Sequence, residues 1–293
     1  MPSKSYVALG LMSGTSLDGV DAAFLETDGE RILGFGPSMM VPYTQSDRET
    51  LTQATQAALR WQFQGGKPNS FFAAQDVIHN THSEAIAAVC LANPAWAARL
   101  DIIGFHGQTI LHDPSQRFTW QIGDAGALAV GTGIDVIADM RIADIAAGGQ
   151  GAPLLPLCHR AFAAHAERPI VILNLGGVGN VTWLGEERSD ILAFDTGPAN
   201  ALIDDLVKER TGKRYDSDGQ LAKAGQVHQA MVDDWLTHPY FERSIPKSLD
   251  RDEWEVKRAY DLPLEDAVAT LAAFTVQSVI KSFEHLPTVP KTI

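Results

Sequence analysis

Apolar and polar positions divide the chain into two halves with the same opening pattern. YVALGL (Tyr6–Leu11) is a short apolar run that stops at the turn-forming MSGTS, which predicts a buried strand. VDAAFLET (Val20–Thr27) predicts a second strand and ILGFGPSMMV a third. SDRETLTQATQAALRW then switches to helical spacing, with Ser46 or Asp47 as its cap. After the linker QFQGGKPNS, a second helix is expected over about Phe71–Leu91, stopped by Pro94. DIIGFHGQTILHD reads as strand then loop, GDAGALAVGTG as a small-residue helix, and IDVIADM as a strand.

The pattern restarts at RPIVILNL (Arg168–Leu175). A strand leads into the glycine turn GGVGN; strands VTWLG and DILAFD follow, then a helix over GPANALIDDLVKERTG. Strand, glycine turn, two strands and a helix thus occur at residues 6–61 and again at 170–211. This predicts an α/β fold of two like domains, residues 1–145 and 146–293, facing an interdomain cleft. RIADIAAGGQGAPLLPLCHRAFAAHAE is the expected crossing between them. Beyond the second repeat the spacing is helical. AKAGQVHQAMVDDWL reads as one helix, and PYFERSIPKSLDRDEWEV as a loop with aromatic and basic residues. The last helix is the clearest: Leu264, Val268, Leu271, Thr275, Val279 and Phe283 recur at three or four residues along one face. The first half goes on to two more strands, whereas the second ends at KTI, which resembles the opening of a strand. The second domain is therefore expected to be truncated at its C-terminus.

Composition narrows the function. Of 293 residues, 45% are apolar, and 36 acidic against 23 basic residues give a formal charge of −13. That balance opposes nucleic acid as a partner, while backbone amides can still hold a small anion. Two cysteines, Cys90 and Cys158, lie in apolar neighbourhoods and read as buried free thiols. No apolar run reaches membrane-spanning length, so a soluble cytoplasmic protein is expected, with no membrane partner.

Four stretches carry candidate chemistry. Opposed strand–glycine–strand turns can wrap phosphates, because glycine permits close approach and several N–H groups can converge on one anion. In MSGTSLDGVD, Ser13, Thr15 and Ser16 add hydroxyls. Asp18 and Asp21 make sense beside phosphate if a divalent cation is present, since Mg2+ takes oxygen ligands and keeps waters. The same residues also suit an ordinary decorated turn. In FDTGPAN, Asp195 ends an apolar strand before a helix. It could orient a nucleophile and take its proton, or it could cap the helix. His106, Gln108 and Thr109 in GFHGQT, and Arg141 in ADMRIAD, could clamp a polar ligand or serve loop hydrogen bonding. His79 and His82 have helical i,i+3 spacing but no third metal ligand in view.

Taken together, GLMSGTSLDGVD, GFHGQT, ADMRIADIAAGGQGAPL, NLGGVGNVT, FDTGPANALIDD and KSLDRDEW resemble the anhydro-N-acetylmuramic acid kinase family, in order and over nearly the whole chain. The resemblance implies the actin-like, sugar-kinase and Hsp70 superfamily fold, with two ribonuclease H-like domains. It implies a cytoplasmic homodimer that uses ATP and Mg2+ to phosphorylate 1,6-anhydro-N-acetylmuramic acid while water opens the anhydro bridge. The products would be N-acetylmuramate 6-phosphate and ADP, in peptidoglycan recycling. The family's ATP loop falls on Gly14, Thr15, Ser16, Leu17, Asp18, Gly19, Val20 and Asp21, with Asp18 and Asp21 as metal candidates. The second turn adds Gly176, Gly177 and Asn180. The general base falls on Asp195, and the sugar side on His106, Gln108, Arg141, Gly197 and Asn200. Gly179 before NVT departs from the small residue usual there. The family also continues past this chain's last residue, with a glycine-rich segment that supports adenosine. An inactive nucleotide- or sugar-binding module, or a kinase of the same fold acting on another substrate, therefore remain alternatives.

Overall fold

The computed structural model describes residues 4–14, 16–61, 68–113, 116–249, 254 and 256–293. Two compact α/β units result, Met1–Leu154 and Leu155–Ile293.

In the first unit, alternation sets the sheet. Val7, Leu9 and Leu11 of β1 (Tyr6–Ser13) are buried, as are Val20, Ala22 and Phe24 of β2 (Gly19–Thr27), while Asp21 and Ala23 take the other face. β3 (Ile32–Pro42) completes an antiparallel meander, and β4 (Leu100–Asp113) pairs in parallel with β1. The order is β3-β2-β1-β4-β5, where β5 is Phe118–Ile122, and β6 (Asp135–Ile137) also pairs with β4. α1 (Gln45–Trp61) and α2 (Asn69–Ala92) bury Leu51, Ala54 and Ala58, and Phe71, Ala74, Ile78 and Ala85, in the same core as the strand residues. Truncating Leu9 there, at 0% exposure, would cost about 2–5 kcal/mol. α4 (Ala125–Thr132) starts where Asp124 accepts from the Ala127 N–H at 2.8 Å and ends at the left-handed Gly133. The short α3 (Pro94–Ala97) and α5 (Ile142–Ala146) link these elements.

The second unit repeats the meander. β7 (Ile170–Leu175), β8 (Val178–Leu184) and β9 (Ile191–Pro198) form an antiparallel sheet, followed by α7 (Asn200–Thr211). Ala163, just past α6 (Pro156–Phe162), packs with Ile170 and Leu184; Val171, Val181, Trp183 and Phe194 pack with Ile245, Phe283 and Leu286. α10 (Leu264–Ser282) is the hub of the largest core here, gathering Leu206 and Val207 of α7 with Trp235, Tyr240, Phe241 and Trp254.

Several expectations change. β4 runs unbroken to Asp113, and β5, which the pattern did not mark, pairs with its second half. The single helix expected after α7 is two, α8 (Gln220–Ala224) and α9 (Gln229–Trp235). They part at Gly225, where a Cβ would lie 2.0 Å from the Glu265 carbonyl oxygen. Both cysteines are free, but neither is buried: Cys90 is half-buried and Cys158 exposed. Within KTI, Thr292 forms one isolated parallel bridge to Ile170, in the sense in which β4 pairs with β1, and no further strand follows α10 among the described residues.

Candidate functional site

The first glycine turn closes through Leu17 N–H to Gly14 C=O at 3.2 Å, and Tyr43 N–H holds the Asp18 carbonyl at 3.0 Å. Leu17 sits at φ 55°, a left-handed conformation that costs a non-glycine residue free energy and that the core contacts of its side chain retain. A Cβ at Gly14 would meet only ordinary van der Waals contact, the nearest atom being Ser16 Oγ at 3.5 Å. Gly19 is glycine for another reason: a Cβ would stand 2.3 Å from the Val41 carbonyl oxygen of β3. Val20 is fully buried, whereas Ser16, Asp18 and Asp21 are exposed. Thr15 lies outside the described residues.

Ser13, expected among the phosphate hydroxyls, points the other way. It is 1% exposed, donates to Gln108 Oε1 and shares a 2.8 Å hydrogen bond with the Tyr43 hydroxyl. Since Ser13 spends its proton on Gln108, Tyr43 is the donor to Ser13; burial pushes the Tyr43 phenol up to about 12. Gln108 turns inward because the β1–β4 register slips between Leu11 and Ser13, where left-handed Gly107 leaves an extra residue in β4. The slip separates Gln108 from His106. His106 Nδ1 donates to Gly107 C=O at 2.8 Å, and its Nε2 lies 3.1 and 2.9 Å from Nε and Nη2 of Arg141. Arg141 also donates to Gly151 C=O at 2.7 Å, while Asp144 accepts the Gly151 N–H at 2.6 Å. Burial above all lowers the His106 pKa, the Gly107 hydrogen bond opposes it and the Arg141 guanidinium adds to it; with Nε2 accepting from Arg141 the ring is neutral. His106 and Arg141 are thus brought together, and Gln108 belongs to a separate buried network.

In the second unit the turn is Gly176–Gly177 alone, since Val178 already belongs to β8. The Asn200 side-chain N–H donates to Leu175 C=O at 2.7 Å and to Gly176 C=O at 3.1 Å. Backbone N–H groups of Ala199, Asn200 and Ala201 reach Gly177 or Gly176 at 3.0–3.2 Å. Gly179 accommodates the buried Thr196, whose Oγ1 would be 2.6 Å from a Cβ, and Gly197 accommodates Ser278 of α10 at 2.8 Å. Thr196 is the extra residue of a bulge: Gly179 pairs with Gly197 but Asn180 with Asp195.

Asp195 does not cap α7, whose N-terminus has no side-chain cap. Its Oδ2 accepts from Leu249 N–H at 2.8 Å, its N–H donates to Lys247 C=O at 3.0 Å, and its carbonyl accepts from the Tyr240 hydroxyl at 2.5 Å. Among the described residues Oδ1 has no hydrogen-bond partner. Burial raises the Asp195 carboxyl above its ordinary value, and the Leu249 N–H offsets part of that rise. A half-buried carboxylate fixed through one oxygen is a competent proton acceptor for a water at the other. Lys247, Leu249 and Tyr240 escaped the sequence reading, because their contacts with Asp195 span 45–54 residues. The one signal pointing to Lys247 and Leu249 was the motif KSLDRDEW, whose residues 250–253 lie outside the described residues; nothing singled out Tyr240.

Among the described residues no set of three or more His, Cys, Asp or Glu could hold a metal. Asp18 and Asp21, two exposed carboxylates flanking a glycine turn, still suit Mg2+, which keeps waters and takes its other oxygens from phosphates. His79 and His82 form no metal pair: His82 is fully buried, with Nδ1 on the Ile78 carbonyl at 2.7 Å. No described helix is long and apolar enough to cross a membrane.

Comparison with known proteins completes the assignment. The profile of the family AnmK, anhydro-N-acetylmuramic acid kinase, matches residues 6–292. Anhydro-N-acetylmuramic acid kinase of Rhizorhabdus wittichii is 46% identical over 98% of this chain and 78% of its own length. That of Paramagnetospirillum magneticum is 49% identical over 96% and 77%, and that of Phenylobacterium zucineum 47% over 97% and 79%. The chain belongs to the anhydro-N-acetylmuramic acid kinase family.

Proposed function

We propose that the chain performs this family's reaction with Asp195 as general base. A water lies at Asp195 Oδ1 and loses its proton to the carboxylate as its oxygen bonds to C1 of 1,6-anhydro-N-acetylmuramic acid. The bond from C1 to the bridging oxygen breaks, and that oxygen, which stays on C6, attacks the γ-phosphorus of ATP. The bond from phosphorus to the bridging β,γ-oxygen breaks and ADP leaves. The products are N-acetylmuramate 6-phosphate and ADP. The observation that carries this is the Asp195 carboxylate itself: raised in basicity by burial, set on a bulge, and pinned through Oδ2 alone.

The residues of the first turn, Gly14, Ser16, Leu17, Gly19 and Val20 with Thr15, and Gly176 and Gly177 of the second turn with Asn180 of β8, are assigned to the ATP phosphates; the Leu17 amide, bonded to the Gly14 carbonyl, shapes the loop rather than binding the anion itself. Asp18 and Asp21 would hold Mg2+, which neutralises phosphate charge when bound. On the sugar side Arg141 presents cationic N–H groups, positioned by His106. Gly197 and Asn200 flank Asp195, while Gln108 acts through the placement of Ser13. Peptidoglycan recycling by a cytoplasmic homodimer fits this chemistry, and light scattering tests the dimer.

The test is turnover in oxygen-18 water. One labelled oxygen at C1 of the sugar phosphate, and none in its phosphate, is the expected result. Label in inorganic phosphate would mean ATP hydrolysis and would overturn the reading.

A further inference from the structure

Among the described residues, every hydrogen bond that holds Asp195 from outside its own sheet comes from one short segment. Tyr240 grips the carbonyl at 2.5 Å, Lys247 C=O the amide at 3.0 Å, and Leu249 N–H the carboxylate at 2.8 Å. Residues 240–249 contain a single 3-10 turn, Pro239–Glu242, and otherwise no helix or strand. Such a segment keeps its shape only if its two ends are tied. The tie is the Lys247 ammonium, which donates to the carbonyls of Tyr240 at 3.2 Å and Phe241 at 3.0 Å. It also lies 3.1 Å from His285 Nε2 and 4.7 Å from the centre of the Tyr240 ring.

Lys247 is only 8% exposed and, among the described residues, makes no salt bridge. A buried ammonium with no carboxylate in salt-bridge contact is costly, and an apolar side chain of the same length would fill the space without that cost. What the ammonium supplies is several N–H bonds at one point, joining the strand of chain that carries the Tyr240 hydroxyl to the one that carries the Leu249 amide. Burial lowers the Lys247 pKa; the charged groups facing it are Glu242, Arg243 and Lys281.

We propose that Lys247 is a positioning residue for Asp195: its ammonium closes the 240–249 segment so that Tyr240 and Leu249 hold the carboxylate in one orientation. The proposal rests on Asp195 being the general base. Without the tie, the Leu249 N–H no longer holds Oδ2. Because that bond is what lowers the Asp195 pKa, its loss moves the acid limb of the rate profile to higher pH.

The test uses the full chain with Lys247→Met, Tyr240→Phe and Asp195→Asn, each checked for folding by thermal melting. Lys247→Met is expected to lower kcat by about a hundredfold, the scale of a small misplacement of a reacting group. Sugar and ATP KM should stay near wild type, and the acid limb of kcat/KM should move up. Tyr240→Phe removes only a hydroxyl and should lower kcat by up to about tenfold, with the same direction of pH shift. A folded Lys247→Met protein with wild-type kcat and acid limb overturns the proposal. If Lys247→Met does not fold, Tyr240→Phe decides, and an unchanged kcat and acid limb overturns it. Should Asp195→Asn retain turnover, the base assignment itself fails, an outcome distinct from the other two.

Discussion

The two glycine turns grow from the same strand–turn–strand scaffold and are built differently. The first carries exposed carboxylates, Asp18 and Asp21, and a left-handed Leu17. The second has no charge at all and is stapled down by Asn200 and the first amides of α7. One turn supplies charge, the other rigidity. The same contrast holds one step further on, where each sheet has a bulge. In the first unit the bulge turns Gln108 into the core, spending it on Ser13 and Tyr43. In the second it leaves Asp195 half-buried with one oxygen held. A repeated scaffold thus fixes where a polar residue stands, while the neighbours decide how many of its polar atoms are bonded.

The largest expected effect tests that last difference. Asp195→Asn should lower kcat by about a thousandfold, within the range for loss of a general base. The melting temperature at pH 7 should not fall. A carboxyl raised in the folded state binds its proton more tightly folded than unfolded, so ionisation costs stability as pH rises past the ordinary carboxylate value. Near-normal turnover would erase the contrast with Gln108.

Next comes the division of charge between the turns. Asp18→Asn and Asp21→Asn should each raise the Mg2+ requirement roughly 10–100-fold, leaving sugar affinity unchanged. Magnesium titrations of initial rate at fixed sugar measure this, and equal requirements in mutant and wild type would remove the first turn's role.

A smaller effect concerns acid stability, which concentrates in the first unit. Burial lowers His82 to about 4 from an ordinary 6.5. The unfolded chain therefore takes the proton first, and stability is lost as pH falls from 6.5 towards 4. This amounts to about 2 kcal/mol between pH 6.5 and 5. His82→Leu should flatten that part of the pH dependence in urea unfolding; an unaltered slope would contradict it. The smallest expected change is Asn200→Ala, which should cost about 1 kcal/mol in stability and weaken ATP binding several-fold by loosening the second turn. Calorimetry measures both, and unchanged ATP affinity would separate the staple from nucleotide binding.

Much of this was legible in the chain. The apolar runs at Tyr6, Val20, Arg168 and Asp190 marked the two meanders, because strand alternation and glycine turns are local signals. β5 escaped because FTWQI is short and its partner, the far half of β4, carries Gln108, Thr109 and His112, which read as loop. α8 and α9 merged because the break at Gly225 is imposed by α10, distant in sequence. At the site, Asp195 and the first turn stood out by residue type. The Tyr240–Leu249 grip did not, since hydrogen bonds to a remote backbone leave no periodicity.

The pairing of His106 with Arg141 has a chemical consequence of its own. With Nδ1 donating to Gly107 and Nε2 turned to a guanidinium, both ring nitrogens are engaged. This imidazole is a strut, unable to shuttle protons. A hydroxyl arriving at that wall would meet the edge of Arg141, which can steady an oxygen but never deprotonate it.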